Sequence, residues 1–314
     1  MSRKWLALAA SSCLALGLAA CGDDDEGSNG AGGGGESNLS GSIAIDGSST
    51  VYPFAQAAAE QFNSESPDVK ITVGQSGTGG GFEKFCAGET DISNASRPIK
   101  DDEEVPICEK AGIAFKEVQV ANDGLSVVTN QALEVDCLTV DQLKQLWGKD
   151  SKVKNLKEID PKLPDAELSL FGPGTDSGTF DFFTDVINGE EGNSRKDYQP
   201  SEDDNVLVQG VTGDEGGLGY FGLSYAEQNR DNLNVVKIDG RDGCVEGSSE
   251  TVQSGEYKPL SRPLFMYPSE KALAKPEGKA FMDYVLENQE TIAEASQFVP
   301  LTAEQAEQAK TAAG

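Results

Sequence analysis

The chain reads as an α/β protein, and two observations predict it. Short alternating strands are followed by stretches of apolar residues at helical spacing. At three of these junctions the connecting loop is built of glycine, serine and threonine, and a helix N-terminus follows directly. In such sheets ligands sit at the carboxyl ends of strands, beside the N-termini of helices.

The first 20 residues stand outside this pattern. Arg3 and Lys4 precede an apolar run, Trp5 to Ala20, which is short for a membrane span and reads as a secretory signal. The run ends in Leu18-Ala19-Ala20-Cys21-Gly22, which resembles the lipobox of bacterial lipoproteins and marks Cys21 as a lipidated N-terminus. The following stretch to residue 40 is polar and glycine-rich, without periodicity. As a flexible coil it would reach roughly 20–25 Å, a tether between a membrane surface and a folded part that begins near residue 41.

Within that part, Ser42 to Asp46 alternates as a strand and runs into the first loop, Gly47-Ser48-Ser49-Thr50-Val51-Tyr52-Pro53. A helix with Phe54, Ala58 and Phe62 on one face follows, and Pro53 suits its first turn. Val69, Ile71 and Val73 alternate in a second strand. It ends in the second loop, residues 74–81, with five glycines in eight positions, a density that lets backbone approach a ligand closely. The loop lacks the lysine and spacing of a Walker A motif. A short strand near Ile92 then delivers Ser96-Arg97-Pro98, and an arginine at a strand end offers the planar fork that suits an oxyanion.

Residues 113–120 and 125–129 read as two strands with a hinge between them. Leu138, Val140, Leu143, Leu146 and Trp147 read as one amphipathic helix. Leu168 to Phe171 forms a strand that delivers the third loop, Gly172-Pro173-Gly174-Thr175-Asp176-Ser177-Gly178-Thr179, ahead of Phe180 and Phe183. The first N–H groups of such a helix have no intrahelical partner and carry the positive end of its dipole. Strands at 217–221, 233–238 and 264–267 and a helical region over about 276–297 complete the pattern.

Composition excludes several function classes. The net charge of −28 disfavours nucleic acid and anionic lipid surfaces. An anion ligand remains compatible, because exposed charge is screened over about 8 Å. The chain has no histidine, which removes the commonest general base and metal ligand. No cysteines are spaced as CxxC pairs, so neither a metal nor another cofactor is expected. Beyond Cys13 and Cys21, Cys86, Cys108, Cys137 and Cys244 suggest two disulfides in an exported protein. Three connectivities are open; Cys86–Cys108 with Cys137–Cys244 is favoured because the first pair closes a local loop.

The set GSSTVYP at 47–53, GQSGTGGGF at 74–82, ISNASRPI at 92–99, GPGTDSGTF at 172–180 and PLSRPLFMY at 259–267 resembles the substrate-binding lipoproteins of phosphate ABC importers. The resemblance spans about residues 42–300. It implies a two-lobed fold of the periplasmic-binding-protein type (type II-like) that closes on phosphate as a hinged clamp. One lobe would comprise 41–119 and 245–314, the other 120–244. It implies phosphate contacts from Ser49 and Thr50, from Thr78 with Ser76 nearby, and from Ser177, Gly178 and Thr179. Some members of the family carry an aspartate where Arg97 stands, and an arginine near the place of Pro173. Arg97 is therefore expected to supply the charged donor. Asp176 is the nearest acceptor for a ligand proton, with Asp46 and Asp181 as weaker candidates.

The reading is a monomeric, non-catalytic receptor, lipid-anchored outside the cell membrane, that passes phosphate to permease subunits. Its rivals are a receptor for sulfate, molybdate or another tetrahedral oxyanion, a secreted phosphoryl-transfer enzyme using Ser177, and an adhesive or signalling lipoprotein. The enzyme would need a base or metal cluster near the serines, and the sequence offers neither.

Overall fold

A computed structural model describes residues 39–175 and 177–314. The signal, Cys21, the tether up to residue 38 and Asp176 lie outside the described residues. The strands are β1 (Gly41–Gly47), β2 (Val69–Val73), β3 (Ile92–Ala95), β4 (Val118–Asn130), β5 (Cys137–Thr139), β6 (Ser169–Pro173), β7 (Gln199–Ser201), β8 (Gly217–Gly222), β9 (Leu233–Asp239), β10 (Cys244–Val245) and β11 (Ser261–Pro268). Their order is β2-β1-β3-β11-β4-β8-β6-β7, with β9 joining β4, β5 and β10.

The two largest hydrophobic cores lie on the two halves of this sheet. Ile43 and Ile45 of β1 face Phe54 and Phe62 of the helix Tyr52–Glu65, joined by Ile92, Leu264, Phe281 and Ile292. The second core gathers Leu143, Leu146, Trp147, Leu170, Phe183, Leu218, Tyr220 and Val236. Each side chain of this size contributes about 1.5–3 kcal/mol when buried. Val252, Tyr257 and Leu260 pack into the second core although they lie beyond residue 245. The short helix Ser249–Gln253 is fastened there, because Glu227 accepts from the Ser249 N–H at 2.8 Å and its hydroxyl at 2.9 Å.

One strand belongs to both halves. Residues 118–124 of β4 pair antiparallel with β11, and residues 125–130 pair with β8 and β9. The expected hinge between two strands is instead continuous β-structure. The polar run that suggested a break is satisfied in place: Asn122 exchanges backbone hydrogen bonds with Val299, and Asp123 pairs with Arg262. Two further readings are corrected. Leu138 lies in β5, and its helix begins at Val140 because Thr139 caps it in a reciprocal box with Gln142. The region 276–297 is two helices, Pro276–Glu287 and Gln289–Ala295, that meet at Asn288.

Both favoured disulfides form, Cys86–Cys108 and Cys137–Cys244. The first ties the helix Gly77–Cys86 to the helix Val105–Ala111. The second closes a separation of 107 residues, for which chain-entropy arguments give about 5 kcal/mol.

Candidate functional site

The first loop starts from a forced glycine. Gly47 has φ +142°, and a Cβ there would lie 2.1 Å from the Asn94 carbonyl oxygen. The turn continues through Ser48, whose N–H donates to the same oxygen at 2.9 Å, and it leaves Thr50 buried at the helix start. The third loop is set by the end of β6. The Tyr198 hydroxyl donates to the Pro173 carbonyl at 2.8 Å, and Ser177 caps the helix Gly178–Phe183 by accepting from the Thr179 N–H at 3.2 Å.

These two loops meet. The Thr50 hydroxyl donates to the Gly178 carbonyl at 3.4 Å. A Cβ on Gly178 would lie 2.5 Å from Thr50 Oγ1 and 2.9 Å from Thr50 Cα, so only glycine allows this approach. At the junction stands a residue that sequence reasoning missed, Arg262 of β11. Its Nη2 donates to Thr50 Oγ1 at 2.7 Å and to the Gly178 carbonyl at 3.3 Å. Its Nε donates to Asp123 at 3.1 Å, directly across the β4–β11 ladder. Its guanidinium lies over the Phe182 ring, 3.9 Å from the centroid. The side chains of Arg262 and Asp123 are only 14% and 9% exposed. Burial pulls the guanidinium down from the usual arginine range, and Asp123, Glu191 and Asp181 oppose that shift. An arginine stays charged in such a site, so a cation is fixed between two small-residue loops.

A cavity of about 470 Å³ opens beside this junction, lined by Ser49, Thr50, Ser177, Gly178 and Thr179, with Asp204 at its edge. Burial lifts Asp204 to about 6, helped by Asp203 and Glu202, while the Gly222 N–H opposes the rise. A carboxyl raised on folding stabilises the folded state only while protonated. The cost of burying its charge is absent below about pH 4 and complete above about pH 6. Asp204→Asn is therefore expected to raise the melting temperature at pH 7.5 and to leave it unchanged at pH 3.5. An equal gain at both pH values would contradict this origin.

The remaining expected contacts are engaged within the protein. The Ser76 hydroxyl donates to Asp46 and the Ser76 N–H to the Gly47 carbonyl. Thr78 Oγ1 accepts from the Ser96 N–H at 3.2 Å and pairs with the Ser96 hydroxyl at 3.1 Å. Arg97 is not brought to the Thr50–Gly178 junction. Its Nη1 and Nη2 grip Glu104 at 2.9 and 2.7 Å, and Nη1 also donates to the Pro98 carbonyl. The Glu104 hydrogen bond is the main cause that raises Arg97 above the usual range. The lone cation in the apolar run 259–267 was the available sequence signal for Arg262. Among the described residues, no group of acidic or cysteine side chains is arranged to hold a metal.

Two halves with separate cores, joined by the shared strand β4 and meeting over a polar cleft, define a binding protein of the periplasmic type. A family model described as a PBP superfamily domain matches residues 32–289. The phosphate-binding protein PstS of Staphylococcus saprophyticus is 42% identical over 287 residues, covering 90% of this chain and 86% of that protein. Protein SphX of Synechococcus elongatus is 44% identical over 264 residues, with 83% and 78% covered. The crystal structure of a possible phosphate binding protein from Planctomyces limnophilus superposes with a TM-score of 0.83 at 46% identity, covering 88% of this chain and 98% of that one. The chain belongs to the PBP superfamily, in the family of these phosphate-binding proteins.

Proposed function

We propose that the chain is an extracytoplasmic receptor for inorganic phosphate that delivers its ligand to the permease of an ABC importer. The observation that carries this is Arg262. Its Nη2 ties the first and third loops together, its Nε holds Asp123 of β4, and its Nη1 makes no hydrogen bond within the described residues. A guanidinium between two helix N-termini, with its Nη1 unbonded among the described residues, suits a tetrahedral oxyanion. The Ser49 and Ser177 hydroxyls and the Gly178 N–H, which line the same cavity, supply neutral donors. Each charge-assisted hydrogen bond contributes about 1.5–3 kcal/mol.

The two cores correspond to lobes that open and close over the site, with Ser76, Thr78 and Arg97 shaping the first lobe around it. Delivery requires the lipid anchor at Cys21 to hold a monomer near the permease. Among the described residues no helix is long and apolar enough to cross a membrane. A structural neighbour from Clostridium perfringens, titled a putative phosphate ABC transporter substrate-binding protein with bound phosphate, supports the ligand (31% identity, TM-score 0.57, 83% of this chain and 100% of that one covered).

The test is calorimetric titration of the ligand-stripped chain with phosphate, sulfate and molybdate. Phosphate is expected to bind at least about a hundredfold tighter than sulfate, as hydrogen-bond-reading sites discriminate strongly. Equal binding of all three would favour a general oxyanion receptor, and no binding would refute the proposal.

A further inference from the structure

Asp46 is the penultimate residue of β1, directly before Gly47 of the first loop, and both of its carboxylate oxygens are occupied. Oδ1 accepts from the Ser76 hydroxyl of the second loop. Oδ2 accepts from Lys84 Nζ at 2.8 Å. A Cβ on Gly74 would lie 2.3 Å from Oδ2, so the carboxylate also rests on the backbone of the second loop. The loops are joined further by the Ser76 N–H to the Gly47 carbonyl at 3.0 Å, and by Gly81, whose Cβ would lie 2.4 Å from Gly47 Cα. Asp46 is thus the peg between the first loop, which lines the cavity, and the second.

A carboxylate is an awkward peg there. The Asp46 side chain is only 14% exposed, so water screens it weakly. Burial pushes its carboxyl up, but the hydrogen bonds from Lys84 and Ser76 and the Lys84 charge outweigh that and hold it below the usual range. It therefore stays ionised at neutral pH. An uncompensated charge beside these loops would repel any anion bound to them.

We propose that Lys84 is a positioning and charge-cancelling residue of the anion site: its ammonium neutralises Asp46, so that a carboxylate can pin both loops without presenting net negative charge to the ligand. The inference rests on the phosphate reading above. Lys84 lies in the helix Gly77–Cys86, past the first turn, and its side chain is 41% exposed. It acts through Asp46 and not as a ligand. The arrangement predicts sign epistasis, since removing the cation harms binding only while the carboxylate keeps its charge.

The experiment compares phosphate dissociation constants of the full chain, of Lys84→Met, and of Asp46→Asn combined with Lys84→Met, at low and high salt. Asparagine keeps the acceptor that Ser76 uses. Lys84→Met is expected to weaken phosphate binding about tenfold at low salt, the order that Coulomb's law gives for one charge near a partly buried site. The loss should shrink at high salt, and the double variant should return to within about twofold of the unmodified chain. Lys84→Arg, which keeps the charge, should bind tightly as well. If the double variant binds as weakly as Lys84→Met, or if Lys84→Met binds normally, the proposal is overturned. Failure of the unmodified chain to bind phosphate would sink the receptor reading itself. Melting curves separate loss of fold from loss of affinity, and Lys84→Arg keeps the test open if Lys84→Met unfolds.

Discussion

Arg262→Ala is expected to abolish high-affinity phosphate binding, with a loss of at least about a hundredfold. Truncating one partner of a buried, hydrogen-bonded charge pair costs about 2–5 kcal/mol, and this guanidinium touches Asp123, Thr50 and Gly178 at once. Stability should fall too, because Asp123 is left buried without its cation. The two effects separate in Arg262→Lys. Lysine keeps the charge for Asp123 but lacks the fork that reaches two loops and a ligand together. That variant should recover most of the melting temperature and little of the affinity. Calorimetry and thermal unfolding on the same samples decide. An Arg262→Ala protein with the unmodified dissociation constant would remove this residue from the site.

Gly178→Ala is expected to weaken phosphate binding by about ten- to a hundredfold while leaving each core intact. The added methyl would lie 2.5 Å from Thr50 Oγ1 and 2.9 Å from Thr50 Cα. Overpacking of this kind costs about 1–3 kcal/mol, and here it falls on the contact between the loops. Neither core contains Gly178. Melting behaviour should therefore change little, and a loss of stability equal to the loss of affinity would argue that the contact holds the fold instead. Thr50→Ser, which keeps the hydroxyl and removes the methyl, should partly restore affinity in the Gly178→Ala background.

Local pattern carried much of the fold. β1, β2 and the first helix follow from alternation and from Phe54, Ala58 and Phe62 on one face, all buried as expected. The loops at 47–53 and 172–179 were legible because glycine density and capping residues are local signals. β4 was misread because Asn122, Asp123 and Gly124 look like a break, and their partners lie far along the chain. The helix Ala303–Ala313 went unread because its alanine, glutamine and glutamate residues carry little apolar pattern. Arg97 and Arg262 show the same limit from both sides. Arg97 stands in a suggestive loop, yet Glu104, seven residues on, takes its fork. Arg262 stands inside a strand, and its importance depends on Asp123, 139 residues earlier, and on Thr50, 212 residues earlier. Spacing along a chain cannot register a pairing that only the closed sheet creates.

The continuous strand β4 has a mechanical consequence. A linker of free single bonds swivels at one or two residues. A thirteen-residue strand shared by the two halves of the sheet behaves as a torsion bar, since its backbone is hydrogen-bonded to β11 along one stretch and to β8 and β9 along the next. Rotation of one half against the other is then spread as a small twist over many residues, and it pulls toward a single resting angle. Amide exchange should stay slow through the middle of β4 with the cleft open or closed, because a distributed twist never exposes those N–H groups to water.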